Sequence, residues 1–268
     1  MGNRFDLEAY FERVNWRGPT TPTYATLAGL LGAHMAHIPF ENFDVLLGRG
    51  VRLDLDGLQA KLVKARRGGY CFEHATLFAG AIERLGFEPI RHSARVVVFL
   101  PASQSPRTHM FLTVAVEGAR YVLDPGFGPF GSRLPVPLGS AGAPADHPSH
   151  RFVSDGQLWT MHITRDGAET AGWVSTVEPE NPIDFEMANH FTATHPDSLF
   201  RNRIMASAVT PDGRVNIMNR DVTVLHGAKA ETFQLPNRSV LRALLAERFG
   251  IDLPEVETLR VPSVPDWA

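Results

Sequence analysis

The chain has 268 residues, 44% of them hydrophobic, with 26 basic and 29 acidic side chains and a formal net charge of −3. So much apolar sequence fills a large core and excludes a disordered chain, and the length calls for two or three subdomains sharing interfaces. The near balance of charge gives nucleic acid or an anionic membrane no electrostatic hold, and no apolar run approaches the ~20 residues of a membrane span. The start, Met1 to Asp6, has no apolar signal core and carries Asp at position 6, which argues against secretion and myristoylation. A single cysteine, Cys71, among 11 histidines rules out an intramolecular disulfide and fits a reducing, cytoplasmic compartment. No feature of the sequence assigns an oligomeric state.

The first third reads as helices. Asp6 caps a helix with Leu7, Tyr10, Phe11 and Val14 on one face, stopped by Gly18-Pro19. Leu27, Leu30, Leu31 and His34 mark a second, ended by Pro39. Asp56 is expected to cap a third, with Leu58, Leu62 and Val63 inward, and a fourth starts after Gly68-Gly69 and stops at Gly86. The middle third switches to strand period. Arg95 to Leu100, Phe111 to Val116, Tyr121 to Leu123, Leu158 to Ile163 and Gly172 to Val177 are expected strands. Residues 131–150, rich in Gly, Pro, Ala and Ser, read as a long loop carrying His147 and His150. The last third is mixed. Val222 to Leu225 is a strand, and Leu241, Leu244, Leu245 and Phe249 form an amphipathic helix closed by Gly250. No internal repeat occurs.

Arg66 to His74 is the most informative stretch. Gly68-Gly69 lets the backbone turn sharply before a helix whose first turn holds Cys71. Free N–H groups and the helix dipole favour an anion there, thiolate over thiol. Cys71, Ala75, Phe78, Ile82 and Leu85 share a face, so the sulfur points inward. From this stretch two readings stand, an activated thiol and an inert core cysteine.

A reactive thiol needs a base and a group to hold that base. His109 opens one strand and Asp124 closes the next, joined by a two-residue loop at Glu117-Gly118. That register pairs Val116 with Ala119 and sets Asp124 opposite Phe111, on the face that His109 shares. A slip of one residue would part them, and the alternative is a strand-end His with a solvated turn Asp. His34 and His37 have helical metal spacing but no third ligand, so no metal is expected. His74 is expected to be structural or partly exposed. Gly126 to Gly131 satisfies G-x-G-x-x-G, yet Pro129 argues against the helix a dinucleotide site requires. The flexible backbone at Gly126 and Gly128 is suited to approach a pyrophosphate.

Taken together, Ile38-Pro39-Phe40-Glu41-Asn42-Phe43-Asp44, Arg67 to His74, Thr108-His109-Met110 and Asp124 to Gly128 resemble arylamine N-acetyltransferases in order and approximate spacing. His195-Pro196-x-Ser198-x-Phe200 is a looser match. The strong motifs cover about half the chain. The resemblance implies a Cys71–His109–Asp124 triad, acetyl-CoA as donor, a small aromatic amine or hydrazine as acceptor, and an acetyl-Cys71 intermediate in a ping-pong cycle. It also implies an α+β fold: a helical bundle (1–88), an antiparallel β-barrel (89–185) and an α/β lid (186–268) around a papain-like or transglutaminase-like thiol core. Phe40, Tyr70 and Phe127 are expected to wall the acceptor, Gly126 and Gly128 to meet the donor, and a Glu41–Arg67 pair to support the glycine turn. The chain departs from the family's pattern at Ala75, where Asn is usual, and at Pro125, where Val is usual. Three other readings of the same residues are an amide synthase closing a polyketide chain as a macrolactam, a thiol hydrolase or transglutaminase, and a binding module with an inert Cys71.

Overall fold

A computed structural model describes residues 5–139, 149–165, 167–227, 229–264 and 267. His147 and the rest of residues 140–148 of the expected loop lie outside the described residues. Helix α1 (Leu7–Arg13) starts where the Asp6 carboxylate accepts the Ala9 N–H, and α2 (Tyr24–His37) starts at a Thr23 cap. Helix α2 stops two residues short of Pro39, which has no N–H to continue it. After the short β1 (Phe40–Glu41) and α3 (Phe43–Leu46) comes α4 (Leu55–Leu58). Its cap is Asp54, which accepts from Gly57 N–H; Asp56, the expected cap, sits inside the first turn. The cap must precede the first helical residue with extended dihedrals, and Asp54 does. Helix α4 widens into a π-helical turn, Gln59–Lys64, and α5 (Cys71–Glu83) follows the glycine turn.

The middle of the chain is an antiparallel sheet of β2 (Ile90–Val96), β3 (His109–Val116), β4 (Ala119–Leu123), β5 (Val136–Pro137), β6 (His150–Ser154), β7 (Trp159–Arg165) and β8 (Ala168–Ser175). The order is β5-β4-β3-β2-β8-β7-β6, and the edge strands β5 and β6 approach each other, so the sheet nearly closes into a barrel. The strand expected from Arg95 lies earlier: β2 ends at Val96, because its partner β3 begins at His109, opposite Ala94. His150 is not a loop residue; it opens β6, and its ring bonds the Phe130 carbonyl and the Ser149 hydroxyl.

The remainder holds α6 (Pro182–Thr194), α7 (Leu199–Asn202), β9 (Met205–Thr210), β10 (Gly213–Met218), β11 (Asp221–His226), β12 (Lys229–Gln234) and α8 (Arg238–Leu244). Helix α8 runs on through a π-helical turn to Gly250, which takes the left-handed φ of 65° that ends it. The second sheet has the order β1-β9-β10-β11-β12, with Phe40 opposite Ser207 and Glu41 opposite Ala206. The Ile38–Asp44 segment is thus the seam between the helices and this sheet.

Strand β3 joins the helical core to the barrel core. Met110, Leu112, Val114 and Val116 pack into the helical cluster with Phe78, whereas Phe111, two residues on from His109, packs with Val122, Phe127 and Trp173 inside the barrel. The two faces are buried against different layers, which fixes the register, since a one-residue slip would exchange them.

Candidate active site

Cys71 is the first residue of α5 and is 3% exposed. Its position is set by the turn before it. Gly69 N–H donates to the Pro39 carbonyl at 3.3 Å, and Glu41 N–H donates to the Gly69 carbonyl at 2.8 Å, so the turn is stitched to β1. A Cβ on Gly68 would sit 2.2 Å from the Pro39 oxygen; only glycine fits. On the other side, a Cβ on Gly126 would lie 2.5 Å from the Cys71 Cα, so the loop after β4 presses directly on the cysteine. Gly126 is therefore required by that approach. Gly128, at φ +54°, opens a 3-10 turn to Phe130 in place of the helix of a dinucleotide site, and its carbonyl accepts from Arg214 at 2.6 Å.

The hairpin brings the base and carboxylate together. Strand β3 pairs with β4 from Val116–Ala119 to Leu112–Leu123, which carries Asp124 to the level of Phe111. His109 Nε2 lies 2.9 Å from Asp124 Oδ2, and the Trp173 indole N–H donates to the same oxygen at 2.9 Å. Asp124 Oδ1 is buried with no partner among the described residues. Because Nε2 is engaged with Asp124, Nδ1 is the ring nitrogen left for the Cys71 side. Burial works against the imidazolium, but the Asp124 charge and hydrogen bond, with Cys71 adding to them, raise His109 to about 10. The Cys71 thiol also lies 3.6 Å from the Thr108 carbonyl. Phe127 packs against the imidazole with ring centres 4.8 Å apart.

Cys71, His109 and Gly126 open onto a cleft of about 570 Å³ between the barrel and the lid, lined also by Phe40, Phe127, Phe130, Phe191 and Phe200. Tyr70 does not join this wall. As the residue preceding α5 it turns its ring into the core, fully buried, with its hydroxyl on Asn189 of α6 and its ring edge on Phe200. Phe200 stands behind Phe40 and Tyr70 and takes the wall position instead.

Behind the turn lies a buried charge network. Arg67 bonds Glu41 Oε1 through Nε and Nη2, at 3.0 and 2.7 Å, and reaches Asp44 at 3.2 Å. Lys61 bridges Asp44 and Glu73 at 2.8 and 2.7 Å. Glu73 Oε2 in turn accepts the Tyr70 N–H at 3.0 Å, holding the start of the cysteine helix. Burial pushes Glu73 up to about 7, with Lys61 pulling the other way. Arg13 grips the turn from outside the network, donating to the carbonyls of His37, Leu62, Arg66 and Arg67. Lys61, Arg13 and Trp173 escape the sequence reading. The π-helical turn that aims Lys61 leaves no local mark, and Trp173 lies 49 residues from the carboxylate it serves.

A sequence model of the N-acetyltransferase family matches residues 23–258. The Mycolicibacterium smegmatis arylamine N-acetyltransferase is 36% identical over 94% of this chain and 94% of its own. The solved M. smegmatis structure superposes with a TM-score of 0.89 at 35% identity, covering 98% and 99% of the two chains. A structure of the Mycobacterium marinum arylamine N-acetyltransferase in complex with CoA superposes at 0.88, with 31% identity and 94% of each chain covered. With the family model, the fold and nearly the full length in agreement, the chain belongs to the arylamine N-acetyltransferase family.

Proposed function

We propose that this protein moves an acetyl group from acetyl-CoA to a small aromatic amine or hydrazine by way of an acetyl-Cys71 intermediate. The observation that carries the proposal is the placing of one thiol at a helix start, against a His109–Asp124 pair, on an apolar cleft. Within the cytoplasm's reducing poise the lone thiol stays free for this use.

His109 holds the proton released by Cys71, and Asp124 and Trp173 fix the ring for that task. The thiolate adds to the thioester carbonyl, and the oxyanion lies near the free N–H groups at the start of α5. The carbon–sulfur bond to CoA breaks, and the departing CoA thiolate takes the proton from His109. The amine then enters the aromatic cleft and attacks the acetyl carbon. His109 accepts the amine proton, the amide leaves, and Cys71 returns as thiolate. Phe40, Phe127 and Phe200 supply apolar and edge-to-face contacts to an aromatic acceptor. Gly126 lines the cleft beside Cys71 and leaves the backbone close to the donor, whereas Gly128 lies off the cleft lining.

Intact-mass measurement with acetyl-CoA and no amine tests this. One acetyl group is expected, on Cys71, absent from Cys71→Ala and discharged by adding an arylamine. Turnover by Cys71→Ala, or an adduct on another residue, would falsify it.

A further inference from the structure

The helical core contains a buried polar chain that the transfer reaction does not use. Tyr10 Oη is 2.9 Å from His34 Nδ1, His34 Nε2 is 2.9 Å from His74 Nδ1, and His74 Nε2 is 3.2 Å from the Pro39 carbonyl oxygen. All three side chains are shut off from solvent. The protons along the chain can be assigned. A carbonyl only accepts, so His74 Nε2 carries hydrogen and its Nδ1 is bare. His34 Nε2 must then donate and its Nδ1 accept, which leaves Tyr10 as the terminal donor. This arrangement satisfies every ring nitrogen with both imidazoles neutral, and a reversed tautomer strands buried groups. Burial keeps the rings neutral. It holds His34 well below its ordinary value, with His74 and Arg13 adding to the effect. It lowers His74 to about 4, against the pull of the Pro39 and Gly69 carbonyls, with Lys61 and Arg13 adding to the lowering.

The far end of the chain meets the nucleophile's turn. Pro39 oxygen receives both His74 Nε2–H and Gly69 N–H, and it is the atom that Gly68 must pass without a side chain. The next residue, Phe40, bridges Gly69 and lines the cleft. We propose that His74 is a positioning residue: its proton, directed by His34 and Tyr10, pins the Pro39 carbonyl against the Gly68-Gly69 turn and so sets Cys71 against His109. This rests on Cys71 being the acetyl carrier. His74 touches no reacting atom.

Two substitutions distinguish anchoring from space filling. Glutamine puts its amide nitrogen where histidine has Nε2, and asparagine puts its amide where histidine has Nδ1. His74→Asn is expected to lower kcat by about tenfold to a hundredfold, the size of effect a displaced reacting group produces. Alkylation of Cys71 should slow with it, and KM for the donor should hardly change. His74→Gln should recover most of both rates. Equal losses in the two variants, or an undiminished kcat in folded His74→Asn, overturn the proposal. Nitrogen-15 spectra of the wild type give a readout independent of turnover. His34 and His74 should both be Nε2–H tautomers, joined by a nitrogen–nitrogen coupling across their hydrogen bond. An Nδ1–H form or an imidazolium on either ring at pH 7 overturns it. Should His74→Asn not fold, Tyr10→Phe carries the test: His34 keeps its Nε2–H, its Nδ1 loses a donor and should shift toward the nitrogen-15 position of a bare ring nitrogen, and Cys71 alkylation should slow. Unchanged spectra and unchanged alkylation in that variant count against the proposal. An unacetylated wild type in the mass experiment would instead remove the acetyl-Cys71 reading, with the nitrogen spectra intact.

Discussion

At Asp124 one oxygen receives both the His109 ring and the Trp173 indole, so the carboxylate fixes the imidazole by charge and by direction. Changing it to asparagine keeps the shape and removes the charge. The Asp124 charge and hydrogen bond that raise His109 toward about 10 are then lost, and the burial that lowers it is opposed by Cys71 alone. The expected outcome for Asp124→Asn is a His109 ring that is neutral at pH 7, where the wild type holds an imidazolium well into the alkaline range. Turnover should fall by about 10² to 10⁴, the upper figure being that of the analogous change in serine proteases. Iodoacetamide should react more slowly with Cys71, while the circular dichroism stays native. A His109 titration unmoved in the variant would remove Asp124 from the machinery. This residue was legible because its evidence is local: a two-residue loop, a period of two and 15 positions between partners. Trp173 was not, since nothing in a strand sequence marks which indole reaches a carboxylate 49 positions away.

Helix α5 shows how an element end is held when its own sequence supplies little. The N–H of Tyr70 is satisfied by Glu73, whose other oxygen is tied to Lys61, and the turn before it is held by Arg67 on Glu41. Glu41 is fully buried and its Oε2 also accepts the Phe43 N–H at 2.8 Å, starting α3. Glu41→Gln leaves the Arg67 guanidinium short of one carboxylate in a buried site. Breaking such a pair costs ~3–5 kcal/mol, and Asp44 at 3.2 Å keeps the expected value near the lower end. A melting midpoint lowered by about 6–12 °C is the corresponding shift for a domain of this size. Activity should fall further than stability, because the turn carries Cys71. An unchanged midpoint would mean that Asp44 and Lys61 hold the turn without it. The pairing of Glu41 with Arg67 was readable from motifs flanking the glycines. Lys61 and Asp44 were not, because a π-helical turn shifts Lys61 off the ordinary helical register.

Across the whole molecule, the lid was the part the sequence left blurred. Strands β9 and β10 carry Ala, Ser and Asn in place of an unbroken β-branched run, and α6 shows solvent Ile183 and Met187, so neither has a strong period. Their placement comes from partners far along the chain. Asn42 illustrates this: its Nδ2 donates to the carbonyls of Phe200 and Arg203 at 2.7 and 2.8 Å, and its Oδ1 accepts the Met205 N–H at 2.9 Å. One buried amide thus ties the β1–α3 corner to the turn between α7 and β9, across 158 to 163 residues of chain. That turn presents Phe200, Met205 and Ala206 to the cleft. Asn42→Ala strands three backbone groups at this seam, each costing ~1–3 kcal/mol if water does not reach it. Water does reach a loosened seam, so the expected result is local opening more than global unfolding. Amide exchange should speed up over residues 199–210 and stay slow in α5. KM for the acceptor should rise several-fold because the Phe200 wall moves, while acetylation of Cys71 in the absence of amine proceeds. Exchange that is unchanged over 199–210, or that accelerates equally in α5, would show that the lid is seated by its apolar contacts and that Asn42 is no tether.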